Sequence, residues 1–168
     1  QNFCVARVET RTRASVELGY VYFAYWGYIG RFDPKTEEFI NLSGTQLTTD
    51  PNKASDAQWA GYGGIYYDKG YLYLATYGDL NADGEFTSEF IKYDLANRRI
   101  AQAIDIRDCT HGSTQYAYGL SYISRVGDLL IGTVNGRPDK RAIFDISGDE
   151  MVRLETIGDF DSHFLNRF

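Results

Sequence analysis

Oxygen-bearing side chains recur at alternate positions in Asp79-Leu80-Asn81-Ala82-Asp83-Gly84. Calcium, a hard cation, takes about six to eight oxygen ligands, and such a spacing followed by Gly opens a calcium-binding loop. The backbone carbonyl of Glu85 and the carboxylate of Glu89 extend the candidate set. Glu89 falls at the eleventh position and Phe90 at the twelfth, where a helix–loop–helix calcium site carries its bidentate Glu. The expected site is therefore a loop carried on a hairpin. The same residues also suit a bare polar hairpin, in which Asp and Gly make the bends.

A second cluster is Asp108-Cys109-Thr110-His111. A neutral imidazole near a carboxylate can act as a base or ligate a metal, so Asp108 and His111 are the catalytic candidates. His163, with Asp159 and Asp161, is a weaker counterpart. No H-x-H or H-E-x-x-H spacing joins the two histidines, and both also read as ordinary loop residues. Cys109 beside His111 suggests a thiolate nucleophile. A disulfide to Cys4 would remove that function, and two buried free thiols are the other alternative. G-x-S-x-G, a phosphate-binding loop and C-x-x-C are all missing from the sequence. Trp26, Tyr28, Trp59 and Tyr62 can form a stacking platform for a sugar or a partner, or can fill the core.

Composition narrows the function classes. The 168 residues carry a net charge of −6, which lacks the clustered basic surface of a nucleic-acid binder. The apolar run needed for a membrane-spanning helix is not found. Gln1 stands where an initiator Met would, which predicts a processed N-terminus and a secreted protein. The paired cysteines and the glycosylation sequon Asn41-Leu42-Ser43 agree with that expectation.

The elements that must position these groups are written as a repeat. Gly19-Tyr20-Val21-Tyr22-Phe23-Ala24-Tyr25-Trp26-Gly27 is echoed by Gly70-Tyr71-Leu72-Tyr73-Leu74-Ala75-Thr76-Tyr77-Gly78, and more weakly by the segment from Gly127 to Asn135. These strands are apolar on both alternating faces, the pattern of a strand covered on both sides. A later strand of every unit ends in an aromatic residue and Asp before a turn: Phe32-Asp33, Tyr93-Asp94 and Phe144-Asp145. The units, approximately 14–43, 58–106 and 115–157, predict an all-β chain of three four-stranded antiparallel blades within a single segment, 1–168.

The aromatic-Asp, turn, strand pattern resembles the blades of β-propellers in the broad NHL, YVTN and gluconolactonase-like group, over nearly the whole chain. The resemblance concerns architecture, since blades of this kind serve binding proteins and enzymes alike. It implies that function sits on the face gathering the 43–57 loop, Trp26, Tyr28, the Asp79–Glu89 insertion, Asp108–His111 and Asn135–Lys140. Propellers usually close with about four to eight blades, so three imply a larger processed protein, or a homo-oligomer or partner subunit that completes the ring. A self-contained barrel or sandwich is the remaining architecture. The expected function is that of a secreted binding or structural protein acting through such assembly, with calcium as the candidate cofactor. The alternative is a subunit of a propeller enzyme with a metal-assisted hydrolase or lyase site on the loop face.

Overall fold

Sixteen short strands organise the computed structural model, which describes residues 4–6, 19–25, 28–43, 65–75, 79–80, 86–113, 116–117, 120–134 and 137–154. Within these, residues 4–6, 23–25, 79–80, 86–87, 109–113, 116–117, 121 and 137–139 are described by their backbone alone. The first sheet holds β1 (Cys4–Ala6), β2 (Val21–Tyr25), β3 (Tyr28–Asp33) and β4 (Glu38–Asn41), each antiparallel to its neighbour. The middle sheet holds β5 (Ile65–Asp68), β6 (Tyr71–Ala75), β9 (Glu89–Asp94) and β10 (Arg99–Asp105). Between β6 and β9 lies a small hairpin of β7 (Asp79–Leu80) and β8 (Phe86–Thr87). A helical turn, α1 (Arg107–Thr110), and the pair β11 (His111–Ser113) and β12 (Tyr116–Ala117) then lead to the third sheet. That sheet holds β13 (Leu120–Val126), β14 (Leu129–Val134), β15 (Arg137–Asp145) and β16 (Val152–Arg153).

The chain is thus all-β, with three antiparallel sheets each running straight up and down. The first sheet takes its opening strand from Cys4–Ala6, ahead of the residue-14 boundary expected from sequence. The segment 14–18 lies outside the described residues.

Turn chemistry explains the aromatic-Asp signature. Asp33 Oδ1 accepts the Lys35 N–H at 2.8 Å, Asp94 Oδ1 accepts those of Ala96 and Asn97, and Asp145 Oδ1 accepts that of Ser147. Each Asp folds the chain back by bonding the backbone two residues on. In the first two sheets the turn closes on a left-handed residue, Glu37 or Arg98. The tight β5–β6 turn places both Lys69 and Gly70 at positive φ, as a primed hairpin turn requires.

Side-chain alternation assigns the two faces of every sheet. In the middle sheet, Leu72, Leu74, Ile91 and Tyr93 join Tyr22, Ile29 and Leu42 of the first sheet in one buried cluster. Tyr73, Ala75 and Phe90 point the other way, into a second cluster with Leu120, Leu130, Val134, Ala142, Phe144 and Met151. The middle sheet is therefore covered on both faces, which is why β6 reads as a continuous apolar run. Phe90 stacks on Phe144 with ring centroids 4.0 Å apart, an arrangement worth about 0.5–1.5 kcal/mol beyond its buried area. On the other side Tyr22 lies parallel to Tyr67 at 5.7 Å.

One bulge helps both faces fit. The β9–β10 register slips between Ile100 and Gln102, so Ile100 stays with the first cluster while Gln102 and Ile104 turn to the second. Gln102 then makes a reciprocal pair with the third sheet, donating to the Met151 carbonyl and accepting its N–H, both at 2.7 Å.

Candidate functional site

Because every strand in a sheet is antiparallel to its neighbour, each sheet has a tight-turn end and a loop end. In the middle sheet the turns Lys69–Gly70 and Leu95–Arg98 lie at one end. The β7–β8 hairpin and the exit of β10 into α1 lie at the other, where Asp105 pairs with Glu89. The structure thereby brings the start of the Asp79 insertion, Glu89 and the Asp108–His111 segment to the same end of one sheet. β8 also runs beside β12.

Asp79 pairs with Thr87 through the backbone, and Glu89 is half-buried at the start of β9. Asn81, Asp83 and Glu85 lie outside the described residues. Among the described residues no group of three or more His, Cys, Asp or Glu side chains is placed to hold a metal ion. His111 opens β11 opposite Ala117, with its backbone alone described.

Asp108 is engaged structurally. Its carboxylate takes both guanidinium N–H groups of Arg153, at 2.6 and 2.8 Å, while Arg153 also donates to the Asp105 carbonyl at 3.3 Å. This bidentate pair ties the exit of the middle sheet to the last strand of the third. Cys4 sits in β1 opposite Ala24 and Cys109 in α1, and the side chains of both lie outside the described residues. Tyr28 is half-buried in β3, whereas Trp26, Trp59, Tyr62 and His163 lie outside the described residues. Asn41 is exposed on the edge strand β4, where its side-chain oxygen accepts the Ser43 hydroxyl at 3.2 Å.

The polar seam between the middle and third sheets is also structural. Arg125 reaches across to Asp68 and holds the turn carbonyl of Gly127 at 2.7 Å. Lys92, almost fully buried, lies over the Tyr71 ring at 4.5 Å and donates to the Asp149 carbonyl at 2.6 Å. Burial, with Asp68 adding a smaller push, moves the Tyr73 hydroxyl up to about 12. These groups satisfy one another across a sheet–sheet contact.

The remaining candidate surfaces are the outer faces of the end sheets. On the third sheet, Tyr122 is 73 % exposed, Val126 60 % and Val152 54 %, and Leu154 joins them. On the first sheet Val21 pairs with Phe32 and Phe32 with Phe39, which is 49 % exposed. On the same face of the third sheet Ile143 and Arg141 are buried within the chain.

Register also corrects the repeat. Val126 pairs with Leu129 as Asp68 pairs with Tyr71, so Leu129 corresponds to Tyr71 and the third copy is one residue out of step with the alignment on glycines. The turn explains the slip: Gly127 takes the position of Lys69, with φ +61, and Asp128 that of Gly70. Alignment on Asp33, Asp94 and Asp145 carries the correct register. No protein-family model matches this chain, and no curated protein matches it.

Proposed function

We propose that this chain is a secreted binding or structural protein whose sheets are blades of a propeller-type assembly, completed by further copies or by a partner chain. The observation that carries the reading is the middle sheet, which is buried on both faces between two sheets of the same construction. The first strands add to it: β1 lies beside β5, and β5 beside β13, as strands nearest a common axis would. The exposed Phe39, Tyr122, Val126 and Val152 of the two end sheets supply apolar surface for such an assembly. The exposed sequon at Asn41 supports secretion.

The enzyme alternative draws on the gathering of Asp79, Glu89, Asp108 and His111 at one end of the middle sheet. It has less behind it, because Asp108 is held by Arg153. Sedimentation velocity on the native protein tests the assembly reading. Species larger than the 19.1 kDa monomer are expected at micromolar concentration, and a stable monomer up to about 100 µM sinks the reading, since specific interfaces of standard size bind more tightly than that.

A further inference from the structure

The first two sheets carry a cation in the same place. Val21 pairs with Phe32 as Leu72 pairs with Tyr93, so Arg31 matches Lys92, Tyr22 matches Tyr73 and Tyr20 matches Tyr71. Each cation lies over its matching ring, Arg31 over Tyr20 at 4.2 Å and Lys92 over Tyr71 at 4.5 Å. Each also stands opposite a tyrosine across the strand pair, Tyr22 or Tyr73. In the third sheet Ile143 takes this place.

The two cations differ in the acceptors they meet. The turn 146–151, between β15 and β16, brings the Asp149 carbonyl to the Lys92 ammonium at 2.6 Å. The matching turn between β9 and β10 is shorter, 95–98. Arg31 Nε is buried and has no hydrogen-bond partner among the described residues. No carboxylate among the described residues pairs with its guanidinium. Arg31 donates to the Tyr22 hydroxyl, which burial raises above its ordinary value, so this partner stays neutral. Tyr22 in turn lies against Tyr67. The half-buried guanidinium thus keeps both a charge and a donor that the seat does not answer. An unmade donor in such a place is costly, and a ligand that supplies the acceptor removes the cost.

We infer that Arg31 anchors a binding site for a small organic monocarboxylate between the first and middle sheets. The two oxygens of a carboxylate match the fork of a guanidinium. One negative charge balances the one positive charge. A dianion would hold a surplus charge beside Asp33, which lies two residues along the same face of β3. Tyr20, Tyr22 and Tyr67 surround the seat with rings, which raises the worth of an ionic contact by keeping water back. The site goes beyond the assembly reading and is independent of it, since both sheets belong to one chain.

Benzoate is the probe, titrated against chloride at matched ionic strength and fixed protein concentration. Wild-type protein should bind it with a Kd of about 1 mM or below, seen by calorimetry. At roughly ten times that Kd the melting temperature should rise by about 2–4 °C. Arg31→Gln should abolish both effects, with circular dichroism verifying the fold. Arg31→Lys keeps the charge without the fork and should weaken binding about tenfold, which decides the matter even where the Gln variant does not fold. No saturable binding to wild-type protein overturns the site. Unchanged affinity in Arg31→Gln or Arg31→Lys also overturns it, as does phosphate binding as tightly as benzoate.

Discussion

Gly132 gives the sharpest test of the packing between the middle and third sheets. It lies on β14 between Ile123 and Ala142, and a Cβ built there would stand 3.1 Å from Cγ and 3.3 Å from Cβ of Leu120, with Cδ1 nearer still. Leu120 is fully buried in the second cluster, so it can give way only by shifting against its neighbours there. Gly132→Ala should therefore overpack the contact, at a cost of about 1–3 kcal/mol. Against this, replacing Gly in a strand interior gains roughly 0.5–1 kcal/mol through the unfolded chain. The clash wins, and a net loss of about 1 kcal/mol is expected, measured by urea unfolding at fixed protein concentration with the slope m unchanged. Leu120→Ala alone should cost about 2–5 kcal/mol. The double variant should lose less than the sum, because the new methyl occupies part of the vacated space, with a coupling of roughly 1 kcal/mol. Wild-type stability in Gly132→Ala, or strict additivity in the double variant, would refute the packing described for Leu120.

Three further outcomes are expected. Asp94 and Asp145 are held below the ordinary carboxylate range, Asp94 chiefly by the Asn97 side chain and Asp145 chiefly by the Ser147 backbone N–H. A depressed folded value stabilises above the unfolded value near 4 and is lost as pH falls through it, so acid unfolding should be shallower in Asp94→Asn, which keeps an acceptor but cannot titrate. Calcium should raise the melting temperature, and Asp83→Ala should abolish the increment; identical curves with calcium and with chelator would leave the 79–89 loop as a turn. Non-reducing peptide mapping should find Cys4 joined to Cys109, and two freely alkylated thiols in native protein would end that pairing.

The sheets were legible because local and tertiary signals agree in them. The run Tyr71–Ala75 is apolar on both faces because it is covered on both, and Asp33, Asp94 and Asp145 announce turns because their carboxylates build them. The third copy misled because glycine marks a positive φ and not a fixed place in the turn: Gly70 holds the second position and Gly127 the first. Arg153 at the site of Ile100 was illegible for another reason. Its apolar neighbours are replaced by Asp108 and the Asp105 carbonyl, partners about 45 residues away in sequence that no local pattern brings together. Which face of its sheet each residue occupies could not be read from sequence either. That depends on register, and the bulges at Ile100–Gln102 and Leu120–Tyr122 exchange the faces partway along a strand.

The double coverage of the middle sheet sets an order of events in time. Among the described residues, opening the first sheet breaks one sheet–sheet contact, and the same holds for the third. When the middle sheet opens, both clusters are torn at once, together with the Gln102, Lys92 and Tyr93 hydrogen bonds that reach into its neighbours. In a nearly one-dimensional array the free energy of opening follows the number of neighbours. Fluctuations thus begin at the ends and work inward, and the amides of β6 and β9 are the last to exchange with solvent. A neighbour seated on either end would convert that terminal sheet into an interior one and slow its amides too, so exchange rates at the two ends report, residue by residue, which face is occupied.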